Sequence, residues 1–132
     1  MTTVAVVFQS ERGHTQTLAE AALRGVAQVP DVAGEIHQVT GKDVLEGRYR
    51  NEQLMAKLDT ADGIIFGCAT YMGSGSAIYK SFLEAAFLPH WMEQRWKDKL
   101  AAGFTNSASQ SGDKLSTLLQ LMVFAMQMGS SP

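Results

Sequence analysis

Ser10-Glu11-Arg12-Gly13-His14-Thr15 is the stretch whose reading decides the fold. It follows the apolar run Val4-Ala5-Val6-Val7-Phe8 and opens a segment rich in alanine and leucine. Residues 3–9 are continuously apolar up to Gln9 and carry β-branched side chains, the pattern of a strand covered on both faces. From about Gly13 to Gln28, Leu18, Ala22 and Val26 recur at i, i+4 and i+8 with Ala19 and Leu23 beside them, which predicts a helix with one buried stripe. A strand, a short turn and a helix in that order make an anion site. The amides of a helix's first turn lack intrahelical acceptors, and the helix dipole puts partial positive charge there. Ser10 and Thr15 add hydroxyls, Gly13 permits a tight turn, and Arg12 brings a full positive charge. The stretch is predicted to hold a phosphate monoester.

Two more segments of similar character lie further along. Asp62–Cys68 reads as a second buried strand, followed by Ala69–Gly75, rich in small and hydroxyl residues, and by a helix from about Ser76 to Phe87. Leu100–Thr105 reads as a third, followed by the Ser/Gly/Asn loop Asn106–Gly112 and a helix over 113–127 that is apolar on most faces. Between these, Gly34–Thr40 is expected to form a short edge strand, 41–50 a polar loop, and Asn51–Leu58 a short helix with Leu54, Met55 and Leu58 inward. His90–Lys97 is expected to add a helical turn or two. The alternation β-α-β-α-β-α-β-α over residues 1–132 implies one α/β domain, a doubly wound parallel sheet with helices on both faces. Ligands of such sheets bind beyond the carboxyl ends of the strands, where the strand order reverses. Three Ser/Thr/Gly loops share that edge, at 9–15, 69–76 and 105–113.

Composition closes off other classes. The chain has 132 residues, 45% apolar and 18% charged, with a net charge of −2, so no basic surface for nucleic acid or anionic membrane is expected. One cysteine, Cys68, allows no internal disulfide, and its place at a buried strand end makes it a small hydrophobe. His14, His37 and His90 have no metal-ligand spacing, so no metal is expected. No apolar run is long enough to span a bilayer and no signal peptide is visible, which predicts a cytoplasmic domain. Neither G-x-G-x-x-G nor G-x-x-x-x-G-K-[ST] occurs at the first strand, so the dinucleotide and P-loop readings lack their parts. A phospho-acceptor domain would need acidic strand ends, whereas the middle strand ends Cys68-Ala69-Thr70.

The three loops in order resemble the flavodoxin-like FMN-binding superfamily. Ser10-x-Arg12-Gly13-x-Thr15 is similar to its T/S-x-T-G-x-T phosphate loop. Gly67-Cys68-Ala69-Thr70-Tyr71-Met72-Gly73-Ser74 with Lys80-Ser81-Phe82-Leu83-Glu84 is similar to its flavin loop and following helix, and Lys97–Ser107 to its fourth strand and third loop. The combination resembles the WrbA-type branch of NAD(P)H:quinone oxidoreductases. The resemblance implies a strand order 2-1-3-4. It implies that Ser10, Glu11, Arg12, Gly13, His14 and Thr15 hold the FMN phosphate, His14 through its backbone. Thr70, Tyr71, Met72 and Gly73 would pass along the flavin ring. Asn106, Ser107, Ala108, Ser109, Gln110 and Gly112 would line the ribityl chain and the pyrimidine edge, their backbone donors stabilising charge there. Arg12 would also meet the nicotinamide nucleotide, and Trp91 the substrate cavity, while Trp96 is core.

Ala69 replaces the family's usual proline and Tyr71 a frequent arginine. The family also continues into a fifth strand and helix, where this chain stops at Gly129-Ser130-Ser131-Pro132. A short or incompletely recorded C-terminus is therefore expected, with the strand at 100–105 left with an unpaired edge. The implied activity is hydride transfer from NAD(P)H to FMN and then two-electron reduction of a small quinone, in a homodimer or homotetramer. The alternatives are a flavodoxin-type electron carrier without its own substrate and a non-enzymatic interaction domain. A carrier is expected to be strongly acidic with aromatics on both flavin faces, which this chain is not.

Overall fold

In the computed structural model, which describes residues 1–132, the strands are β1 (Thr2–Phe8), β2 (Val32–Gln38), β3 (Val44–Leu45), β4 (Arg48–Tyr49), β5 (Gly63–Tyr71), β6 (Ser74–Gly75) and β7 (Leu100–Asn106). The helices are α1 (His14–Ala27), α2 (Glu52–Thr60), α3 (Ala77–Ala85) and α4 (Lys114–Gln127). The four long strands run parallel in the order β2-β1-β5-β7, the expected 2-1-3-4. The order reverses beside β1, so β1 and β5 flank the crevice where ligands of such sheets bind.

β1 shows why its sequence lacks alternation. Ala5 and Val7 join the larger core with α2, α3 and α4, while Val6 and Phe8 face α1 across Ala19. Successive side chains point to opposite faces, and both faces are covered. Glycine at 67 is required by its neighbour: a Cβ there would meet the Phe104 ring at 2.0 Å. Below it, Tyr79 is fully buried and its hydroxyl accepts from the Gly67 amide at 3.1 Å and donates to the Val7 carbonyl at 2.8 Å. That single oxygen ties the carboxyl end of β1 to the middle of β5.

Several expectations need correction. The 69–75 segment is not an open loop: β5 runs to Tyr71 and turns through Met72 (φ +50°) and Gly73 (φ +86°) into β6, which pairs antiparallel with it. The 41–50 stretch holds a short helical turn and the two-residue hairpin of β3 and β4. α3 ends at Ala85, two residues before the expected Phe87, and a wide helical turn follows over Phe87–Trp91. Leu18 is exposed, and the inner face of α1 runs through Thr15 and Ala19 instead. The outer edge of β7 is not wholly unpaired. Ser131 meets Leu100 in a parallel bridge, its amide donating to Lys99 O at 2.8 Å and its carbonyl accepting from the Ala101 amide at 2.8 Å. No helix is long and apolar enough to cross a membrane.

Candidate functional site

α1 starts at His14 behind Gly13, whose φ of +92° only glycine adopts without strain. The Gly13 amide donates to Ser10 Oγ at 3.0 Å, which folds residues 10–13 into a closed turn. Thr17 amide and hydroxyl both spend themselves on Gly13 O, at 3.1 and 3.0 Å. The amides of His14, Thr15 and Gln16 then find no acceptor within the chain, and the first turn of α1 contains no acidic residue. Three free donors at the positive end of a helix suit a phosphate group.

These donors open on a cavity of about 740 Å³. Ser10, Glu11, Arg12, His14, Thr15 and the unforeseen Thr17 and Leu18 form one wall. Ala69, Thr70 and Tyr71 form a second, and Asn106, Ser107 and Ala108 the third. The structure thus brings together segments from three strand ends, as read from the sequence. Thr15 is 2% exposed, and its hydroxyl donates to Asn106 Oδ1 at 2.7 Å, joining the first wall to the third. Arg12 and His14 are exposed at the rim, and Glu11 places a carboxylate beside them.

Not every expected residue arrives. Met72 stands wholly exposed at the hairpin tip with Gly73 behind it, neither lining the cavity wall. Ser109, Gln110 and Gly112 turn away into their own loop: the Gly112 amide is consumed by Ser109 O at 3.1 Å. Of the 106–112 segment, Asn106, Ser107 and Ala108 line the cavity. Trp91 lies at the other end of the molecule. Its indole N–H donates to Gln127 O at 3.1 Å, at the C-terminus of α4, whereas the N-terminus of α4 holds the third wall. The 14 residues of α4 put about 20 Å between them.

Residues that sequence reading passed over hold the walls. Thr70 Oγ1 lies 2.7 Å from Thr105 Oγ1 and 2.8 Å from Thr117 Oγ1, the last fully buried. Gln120 Oε1 accepts from the Gly75 amide at 2.9 Å. Lys114 Nζ donates to Ser107 Oγ, Ser109 O and Gln110 O at 2.7, 3.2 and 3.1 Å. The one available signal was the three-residue spacing of Lys114, Thr117 and Gln120 in a helix whose other residues, Ser116 and Gln127 apart, are apolar. Cys68 is buried as expected, and burial pushes its thiol up to about 12 against the opposing Ser76 amide. It is no nucleophile at neutral pH.

A parallel β2-β1-β5-β7 sheet with an anion-binding helix N-terminus after β1 defines a flavodoxin-like domain. More narrowly, the chain belongs to the NADPH-dependent FMN reductase family, whose model matches residues 2–132. It is 40% identical over 129 residues to "Flavodoxin FldP" of Pseudomonas aeruginosa (strain UCBPP-PA14), covering 98% of this chain and 64% of that one. It is 32% identical to "NAD(P)H dehydrogenase (quinone)" of Geobacter sulfurreducens, over 96% of this chain and 68% of the other. A crystal structure of a flavodoxin, WrbA-like protein from Agrobacterium tumefaciens superposes with a TM-score of 0.85 at 40% identity, covering 99% and 76% of the two chains. The chain thus spans about two thirds of the length of the curated relatives it matches.

Proposed function

We propose that this chain binds FMN and acts as an NAD(P)H-dependent oxidoreductase that passes two electrons to a small quinone. The observation that carries the reading is the set of three unpaired amides at His14, Thr15 and Gln16, facing a cavity that two further strand ends enclose. Their number and the absence of an acid in that turn fit a dianionic phosphate monoester. FMN supplies the hydride- and electron-accepting chemistry when bound; the chain supplies binding and orientation. Residues 10–16 would grip the phosphate, the Asn106–Ala108 backbone would follow the ribityl side, and Thr70 and Tyr71 would border the ring. Arg12, which lines the rim and makes no ion pair, would attract the phosphates of a nicotinamide nucleotide. The cytoplasm, with its nicotinamide pool, is the compartment this reading needs.

A homodimer or homotetramer belongs to the same reading. Trp91 stacks on Phe87 with ring centroids 5.5 Å apart, and both are exposed. Since Trp91 cannot reach the cavity of its own chain, it can serve a substrate site only from a neighbouring copy. The 40% identity to a protein called a flavodoxin favours a second reading, an electron carrier without its own substrate.

Purified protein titrated with FMN decides the first point: bound flavin bands are expected, and a protein that stays colourless would overturn both readings. Steady-state oxidation of NADPH or NADH with a benzoquinone then separates them. Turnover is expected without any partner; flavin reduction only by an added reductase would leave the carrier reading standing.

A further inference from the structure

We infer that α4 carries a positioning stripe, Lys114, Thr117 and Gln120, that holds the two ring-side walls of the cavity in register. Its role in cofactor binding rests on the flavin reading above; its existence rests on the hydrogen bonds alone.

Residues three apart on a helix share a face. Lys114 spends its ammonium's three donors on three acceptors of the 107–110 loop. One turn on, Thr117 meets Thr70, and one turn further Gln120 takes the Gly75 amide. Thr70 and Gly75 are register partners across the β5–β6 hairpin. The helix therefore grips both legs of the hairpin at its base, and the same helix face secures the neighbouring loop.

The proton count fixes the direction of the threonine chain. Each hydroxyl has one proton to give. Thr117 is fully buried and Thr70 is its sole hydrogen-bond partner, so its proton goes to Thr70 Oγ1. Were Thr70 to donate to Thr117 instead, the Thr117 proton would be stranded without an acceptor. Thr70 accordingly donates onward to Thr105, whose hydroxyl turns to Asn106 O at 3.5 Å. Thr70 thus has no proton left for a ligand. It meets the flavin through its backbone, and its side chain is a link in the frame. Thr117 touches no ligand and is a positioning residue.

The test uses the full chain, first without flavin. In Thr117→Val, amide hydrogen exchange over 69–76 and 105–107 should rise about tenfold while β1 and α1 keep their native rates. Thr117→Ser, which keeps the hydroxyl, should stay within about twofold of native. Lys114→Met should loosen 107–112 and leave the hairpin alone. Native exchange over 69–76 in Thr117→Val overturns the inference, as does an equal effect of Thr117→Ser. If Thr117→Val does not fold, Lys114→Met decides, and unchanged exchange over 107–112 overturns the stripe. FMN titration follows: affinity should fall about tenfold in Thr117→Val and recover in Thr117→Ser. Loosened walls with native FMN affinity would overturn the positioning role. A native chain that takes up no FMN would sink the flavin reading, with exchange still deciding the stripe.

Discussion

Thr15 has one hydroxyl proton, and in the free chain Asn106 Oδ1 takes it. A phosphate arriving at α1 is therefore met first by the three backbone amides, and the Thr15 proton must leave Asn106 to join them. Thr15→Ala should cost about tenfold in FMN affinity, the worth of one charge-assisted hydrogen bond. Thr15→Glu should abolish binding, because the new carboxylate sits among the phosphate's donors and repels it. Fluorescence titration checks both, and native affinity in Thr15→Glu would place the phosphate elsewhere. A second residue-scale test concerns Gly67. Alanine there overlaps the Phe104 ring, so Gly67→Ala should lose about 1–3 kcal/mol in denaturant unfolding. Phe104→Leu in the same chain should restore part of it. The turn at Ser10–Thr15 and the helix it opens were legible because their signals are local. Asn106 as the partner of Thr15 was not, since 91 residues separate them.

At the scale of elements, the wide turn at 87–91 is tied to α2 through one carboxylate. Asp59 accepts from His90 Nδ1 at 2.6 Å, Trp96 Nε1 at 2.7 Å and Arg95 at 3.0 Å. Burial alone would raise its carboxyl, but the hydrogen bonds from Trp96, His90 and Arg95 outweigh that and hold it below its ordinary 3.8. A carboxyl lowered in the folded state contributes stability that is complete above the unfolded value and lost as pH falls through the folded one. Native stability should therefore decline below about pH 3.8 partly through this group. Asp59→Asn should lose about 1–3 kcal/mol at neutral pH by leaving a donor unpaired, and should show a shallower acid limb. Urea unfolding from pH 2 to 7 measures both; an unchanged acid limb would remove Asp59 from the account. Strands were readable from apolar runs, since β1 and β5 are covered on both faces. The β5–β6 hairpin was not, because Met72 occupies a left-handed position where asparagine or glycine gives the usual signal. Nor was the stripe on α4, because polar residues among leucines and methionines say nothing of what they meet.

The whole molecule covers its sheet unevenly. α2, α3 and α4 pack on one face and α1 alone on the other, leaving Leu100 exposed and Phe104 only partly covered. The outer side of α4 adds Leu119, Val123 and Met126, at 46%, 60% and 59% exposure, spaced four and three residues apart along one side of the helix. The chain should therefore self-associate at micromolar concentration, and Val123→Glu with Met126→Glu should shift it toward monomer. Light scattering after gel filtration checks this; a native monomer would end the assembly reading.

The fastening of the cavity has a kinetic side. The anion turn is closed by its own Ser10–Gly13 bond and meets the rest through Thr15, whereas hairpin and loop both hang on α4. The two halves of the pocket consequently have separate lifetimes. Opening of the first turns of α4 is expected to free the ring half while the phosphate half stays intact, so that a nucleotide held by residues 10–16 would swing out tethered by its charge and return. Residence time would then follow the opening of the N-terminal end of α4 rather than that of the sheet.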